Sequence, residues 1–225
     1  YQVTQDKGNQ LLDFPVTEQG RSIQQLIDLI EYNVDRPGLN PASGGHIAYI
    51  PGGGIYPAAL GDYLADITNR YAGVFYANPG AVRIENILIR WMCELFGFPK
   101  KAGGNLTSGG SIANLIAIVT ARDFKKLKAR DFEKAVIYST KQVHHCTKKS
   151  IKIAGLYDLV QREVPMDKHF RMDAQALATC IKKDKEDGLI PFLVMASAGT
   201  TDTGAIDPLE AISTICKANE LWMHV

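Results

Sequence analysis

Long apolar runs are missing from this 225-residue sequence. No stretch approaches the roughly 18 residues of a membrane-spanning helix, so no segment reads as one. A secretory pattern is missing too, because the opening Tyr-Gln-Val-Thr-Gln-Asp has no basic-then-apolar run. Neither sign of charge is in excess: 25 Lys and Arg face 24 Asp and Glu, for a net charge of +1. No global field therefore favours nucleic acid or a membrane surface as partner. Cysteine is sparse. Cys93, Cys146, Cys180 and Cys216 form no CxxC pair, and their spacing suits neither a zinc site nor a small disulfide framework. The expectation is no metal, and free thiols in a reducing, cytoplasmic setting. An initiator Met is also missing, which reads as a chain that starts inside a longer one.

What is present is ordinary globular composition, 46% hydrophobic and 22% charged, enough to bury a sizeable core. Helical spacing of Ile23, Leu26, Ile27 and Ile30 predicts a helix over 17–34, stopped by Pro37-Gly38. A long Gly- and Pro-rich stretch covers 36–57; such loops are often functional, although a plain linker has the same composition. Further helices are predicted over 57–72 and 81–96, separated by an Asn78-Pro79-Gly80 turn. From Gly103 the texture changes. Helices over 111–128, 145–154, 173–185 and 208–219 alternate with apolar strands at 135–139, within 156–164, at 192–197 and at 221–225. That alternation predicts βαβ units and a mostly parallel sheet with right-handed crossovers. Two parts are expected: a helical arm and loop over 1–100, and an α/β domain over 101–225. The last strand has no turn or cap after it, so the α/β domain reads as truncated.

Three segments could carry chemistry. Thr107-Ser108-Gly109-Gly110-Ser111 opens a strongly apolar helix. Helix N-termini offer unpaired amides and partial positive charge to a phosphate, and paired glycines allow close approach. The spacing is neither a P-loop nor a dinucleotide fingerprint, and a Gly-rich turn with a Ser cap is the plain alternative. His144 follows the strand that ends at Ser139, on the side where α/β sheets bind ligands. Its ring could stack on a cofactor or move a proton, or simply be a structural histidine. The adjacent His145 and Cys146 suggest no metal, because neighbours in a helix point in different directions. Thr200 and Thr201 follow the third strand, where hydroxyls can touch a ligand or form a turn.

In this order, the segments resemble the group II pyridoxal-phosphate (PLP) decarboxylases, which act on aromatic amino acids, histidine, tyrosine, glutamate or diaminobutyrate. Tyr49-Ile-Pro-Gly-Gly with Tyr56-Pro-Ala-Ala-Leu-Gly-Asp62 resembles the family's substrate-side loop and following helix. Asn78-Pro79 through Glu85 resembles its Ser-Pro-Ala-x-Thr-Glu-Leu-Glu turn. Thr107 to Asn114 is similar to the phosphate segment, and His144-His-Cys-Thr-Lys-Lys149 to its His-x-Ser-x-x-Lys segment. Ala198-Gly-Thr-Thr201 through Leu221-Trp-Met-His-Val225 resembles the approach to its Asp-Ala-Ala motif. Departures are Ile47 after His46 where Pro is common, Gly80, Arg83 and Ile84 in the turn, Ile112 for Glu, and Cys146 for Ser.

The resemblance implies a fold type I, aspartate aminotransferase-like PLP domain, present in part, with an N-terminal helical arm. It implies pyridoxal 5'-phosphate held by Gly110 and Ser111, a ring stacked on His144 as the catalytic residue, and Thr201 at the cofactor's polar edge. His46, Tyr49, Pro51 and Gly52 would lie near the substrate. The implied reaction converts an L-amino acid to an amine and CO₂, in a homodimer. An Asp after Val225 and a later Lys would complete the site, so residues 1–225 alone are expected to be inactive. Another lyase or an aminotransferase of the same fold, or a non-catalytic phosphate-binding module, would use the same segments.

Overall fold

The computed structural model describes residues 11, 14–47, 50 and 52–225. They fall into two compact units, 1–71 and 72–225.

In the first unit, α1 (Ile23–Ile30) starts six residues later than the apolar spacing predicts. Ser22 sets that start. Its hydroxyl accepts from the Gln25 amide at 3.2 Å while the Gln25 side chain accepts from the Ser22 amide at 3.1 Å. This reciprocal pair satisfies two donors that a helix N-terminus leaves open. A π-turn over Glu31–Asp35 continues α1, and α2 (Tyr56–Thr68) follows. Asn69, at φ 38°, ends α2 four residues short of expectation, because a left-handed residue cannot continue the helix. No residue of α1 or α2 is buried.

The second unit opens with α3 (Pro79–Leu95). The expected Asn78-Pro79-Gly80 turn is its cap and first turn: Asn78 Oδ1 accepts from the Ala81 amide at 3.2 Å, and Pro79 brings no amide that would need a partner. The α/β layer follows. It contains α4 (Gly110–Phe124), β1 (Ala135–Ser139), α5 (Cys146–Ile153), β2 (Val160–Glu163), α6 (Ala174–Glu186), β3 (Ile190–Met195), α7 (Leu209–Asn219) and β4 (Trp222–His224). The four strands form one parallel sheet in the order β2-β1-β3-β4.

Both faces of the sheet are covered, as parallel sheets require. Ala135 and Ile137 of β1 pack on one face with Ile118 and Ala121 of α4 and Ile151 of α5. Val136 and Tyr138 pack on the other with Leu177 and Ile181 of α6 and Ile212 and Cys216 of α7. One irregularity interrupts the alternation. Val136 pairs with Pro191 but Ile137 pairs with Leu193, so Phe192 is an extra residue in β3. Pro191 has no amide to give a central strand, and a bulge is where such a strand tolerates it. The bulge explains why Phe192 and Leu193, adjacent in sequence, both join the α4–α5 face.

A buried carboxylate ties three elements together. Asp184 of α6 is 1% exposed. It accepts from the Tyr138 hydroxyl at 2.8 Å and is gripped by both Nε and an Nη of Arg162 on β2. Burial, with the Asp184 charge beside it, pushes the Tyr138 phenol far above its ordinary value, so it stays protonated and donates. A second buried carboxylate, Asp207, fixes the loop after β3. Its Oδ1 accepts from the Met172 amide at 2.6 Å and its Oδ2 from the Ser197 amide at 2.7 Å.

Two outcomes follow for the complete protein. Asp184→Ala removes one partner of a buried pair and strands the Tyr138 hydroxyl. The expected loss is about 2–3 kcal/mol in urea unfolding, below the usual buried-pair figure because Arg162 retains solvent access; an unchanged midpoint and slope would contradict it. Asp207→Ala is expected to speed hydrogen exchange at Met172 and Ser197 by about tenfold or more, since bonds to a charged acceptor are worth roughly 1.5–3 kcal/mol. Unchanged protection of both amides would show that the loop is held by other means.

Candidate functional site

The topology marks a place for a ligand before any side chain is considered. From β1 the chain turns through α5 to β2 on one side, and from β3 through α7 to β4 on the other. α5 and α7 lie on opposite faces. The loops leaving β1 and β3 therefore diverge, and a crevice opens at their C-terminal ends. The loop after β1 carries His144, and the loop after β3 carries Thr200 and Thr201.

The N-terminus of α4 reaches the same edge. Gly109, at φ 153° and ψ 170°, takes a backbone conformation essentially reserved for glycine. The Ile112 and Ala113 amides both donate to the Gly109 carbonyl at 3.1 Å. That leaves the amides of Gly110 and Ser111 as the donors at the helix mouth among the described residues. Both residues are exposed, and a Cβ added at Gly110 would meet nothing within 4 Å. No acidic residue occupies the first turn, where Ile112 stands in place of a Glu. Amides, a hydroxyl, helix polarity and open space make a donor set that fits a phosphate monoester such as that of PLP. α4 is also held from outside. Ser150 of α5 donates to the Ser111 carbonyl at 3.3 Å, Arg122 donates to the Ala154 carbonyl at 2.8 Å, and Asn114 Oδ1 lies 2.9 Å from Nε2 of His224 at the end of β4.

His144 is exposed at the head of α5. Its Nδ1 accepts from the Cys146 amide at 3.3 Å, and its carbonyl accepts from the Thr147 amide at 3.0 Å. These contacts hold the ring at the helix entrance. With Nδ1 accepting, the neutral ring carries its proton on Nε2. The His145 ring lies 4.1 Å away, centroid to centroid, tilted by 39°. The expectation that adjacent side chains diverge does not hold here, because both residues precede α5 and are free of its 100° step. No cluster of three or more metal-ligating side chains occurs among the described residues.

The loop after β3 folds on itself. Thr200 is buried, and its hydroxyl lies 2.7 Å from that of Thr203, while its amide donates to the Ala205 carbonyl at 3.1 Å. Thr201 is half-buried on this turn. Thr200 thus serves the turn, and Thr201 is the hydroxyl left nearer the surface.

A cavity of about 550 Å³ adjoins His144, lined by Thr140, Lys141, His145, Lys148 and Arg162 among others. Gly110, Ser111 and Thr201 do not line it, so it is distinct from the helix mouth. The remaining expected residues belong to the first unit. His46 is half-buried in a turn, its amide donating to the Ser43 carbonyl at 2.9 Å, and Gly52 is exposed. Tyr49 and Pro51 lie outside the described residues. Sequence reasoning assigned no role to Asn114, Ser150, Asp207 or His224. For Asn114 a signal existed, since it stands one helical turn after Gly110; for the others only the fold supplies it.

Comparison with known proteins identifies the family. Residues 6–225 match the pyridoxal-dependent decarboxylase conserved domain. An aromatic-L-amino-acid decarboxylase of Bacillus atrophaeus is 33% identical over 209 residues, covering 93% of this chain and 43% of that protein. A histidine decarboxylase of Mus musculus is also 33% identical, over 79% of this chain and 29% of its own length. Among solved structures, the glutamate decarboxylase domain of a Vibrio parahaemolyticus diaminobutyrate-pyruvate transaminase and L-2,4-diaminobutyrate decarboxylase superposes with a TM-score of 0.87. The two are 26% identical, over 96% of this chain and 49% of that one. The chain thus spans about half the length, or less, of these relatives. With the domain matched along nearly all of its length and the fold shared, the chain belongs to the pyridoxal-dependent decarboxylase family.

Proposed function

We propose that the complete protein containing this chain uses PLP to convert an L-amino acid to its amine and CO₂. The observation that carries this reading is the open, acid-free N-terminus of α4 at the same sheet edge as a backbone-held His144. Gly110 and Ser111 would hold the phosphate, through amides already aligned for an anion. The His144 ring would stack on the cofactor, with Nε2 as the atom that carries or passes a proton. Thr201 would touch the cofactor's polar edge, and His46, Tyr49, Pro51 and Gly52 would line the substrate side. PLP, when bound, supplies the electron sink for the pair left behind as CO₂ departs. Tyr49 and Tyr56 favour an aromatic or apolar substrate side chain.

We also propose a homodimer. Ile84, Ile87, Trp91 and Leu95 of α3 are all more than half exposed, as are Tyr63, Leu64 and Ile67 of α2, and stripes of this kind are contact surfaces. Sedimentation equilibrium of the complete protein should give twice the chain mass; a monomer at micromolar concentration would refute the dimer.

The activity is tested by CO₂ and amine release from the complete protein over an amino-acid panel. PLP-dependent release from at least one substrate is expected, and His144→Ala should lower kcat by about a hundredfold or more. No CO₂ from any member of the panel, or a His144→Ala enzyme with full activity, would count against the reading.

A further inference from the structure

His224 and Asn114 are 110 residues apart in sequence, yet their side chains meet at 2.9 Å, Nε2 to Oδ1. The Asn114 amide group points the other way: its Nδ2 donates to the Gly110 carbonyl at 2.8 Å. That bond fixes which end of the side chain faces His224. Oδ1 has no hydrogen and can only accept, so Nε2 of His224 must carry the proton and donate. Burial lowers the His224 pKa, which keeps the ring neutral with Nδ1 bare. The His224 main chain is itself anchored, its carbonyl accepting from the Ala196 amide at 2.9 Å beyond the end of β3.

The far end of this chain of bonds is the candidate phosphate cup. The Gly110 carbonyl shares a rigid planar peptide with the Ser111 amide, and the two groups point in opposite directions. Holding the carbonyl from below therefore aims the Ser111 N–H out of the helix mouth. Donation into that carbonyl also polarises the same peptide, strengthening the N–H as a donor.

We infer that His224 is a positioning residue for phosphate, acting through Asn114 to orient the Gly110–Ser111 peptide from the end of β4. The inference rests on the proposal that Gly110 and Ser111 hold the PLP phosphate. A purely space-filling role would tolerate any side chain of similar volume, whereas this one needs a hydrogen donor at the Nε2 position.

The test compares His224→Phe, His224→Gln and Asn114→Ala in the complete protein, titrated with PLP, with pyridoxal lacking the phosphate, and with inorganic phosphate as competitor. His224→Phe and Asn114→Ala should each weaken PLP and phosphate binding about fivefold to tenfold while leaving pyridoxal binding unchanged. His224→Gln, whose amide can donate to Asn114, should restore PLP affinity to within about twofold. Nitrogen NMR of the wild type should show His224 neutral and protonated at Nε2. The inference fails if His224→Phe binds PLP as tightly as wild type, if PLP and pyridoxal weaken equally, if Gln is no better than Phe, or if the proton sits on Nδ1. Wild-type protein that binds neither PLP nor phosphate would overturn the underlying site reading as well, whereas tight wild-type binding with an unaffected His224→Phe would overturn this inference alone.

Discussion

The parallel pairing of β1 with β3 is the constraint on which the rest depends. These two strands form the centre of the sheet, and the chain leaves them in opposite directions over opposite faces. That divergence creates the crevice, and it brings to one edge two loops that are about 55 residues apart in sequence. The pairing is not regular. Pro191 forces Phe192 out as a bulge, yet the pairing recovers at Leu193 and Val194 and delivers β3 in register to β4. A central strand with a proline near its start survives because hydrophobic packing from both faces exceeds the loss of one ladder bond.

Around the crevice, precision comes from polar side chains that cross between elements. α4 is tied at its mouth by Ser150 and by the Asn114–His224 contact, and at its far end by Arg122 on the Ala154 carbonyl. The loop that carries Thr201 hangs from Asp207. β1, β2 and α6 are bound by the Tyr138–Asp184–Arg162 group. Each buried carboxylate is fully engaged, which is the condition under which burying a charge does not cost the fold dearly. A phosphate site of the kind proposed here would need few charged groups of its own. Helix polarity and two amides would supply the attraction once the helix mouth cannot drift.

Much of this was legible from residue order. Strand and helix alternation after Gly103 gave the parallel α/β layer, because period-2 and period-3.6 patterns follow directly from backbone geometry. Gly109 is legible for a different reason: its backbone conformation suits almost no other residue type. Helix ends were less readable. Apolar spacing overran α1 and α2, since the true ends are set by the Ser22 capping box and by left-handed Asn69. The bulge at Phe192 and the meeting of the His144 and His145 rings depend on backbone detail that periodicity does not encode. Least visible were Asn114 with His224 and Asp207 with Met172. A contact across 110 or 35 residues leaves no local trace, and only the completed topology joins its ends.

We propose a PLP phosphate at the mouth of α4 with the cofactor ring against His144. A crystal structure of the complete protein grown with PLP tests it most directly. The phosphate should lie within hydrogen-bonding distance of the Ser111 amide or hydroxyl, with the pyridine ring in face contact with the His144 imidazole. A phosphate bound elsewhere, such as in the cavity beside Lys141 and Lys148, or a ring out of reach of His144, would contradict it.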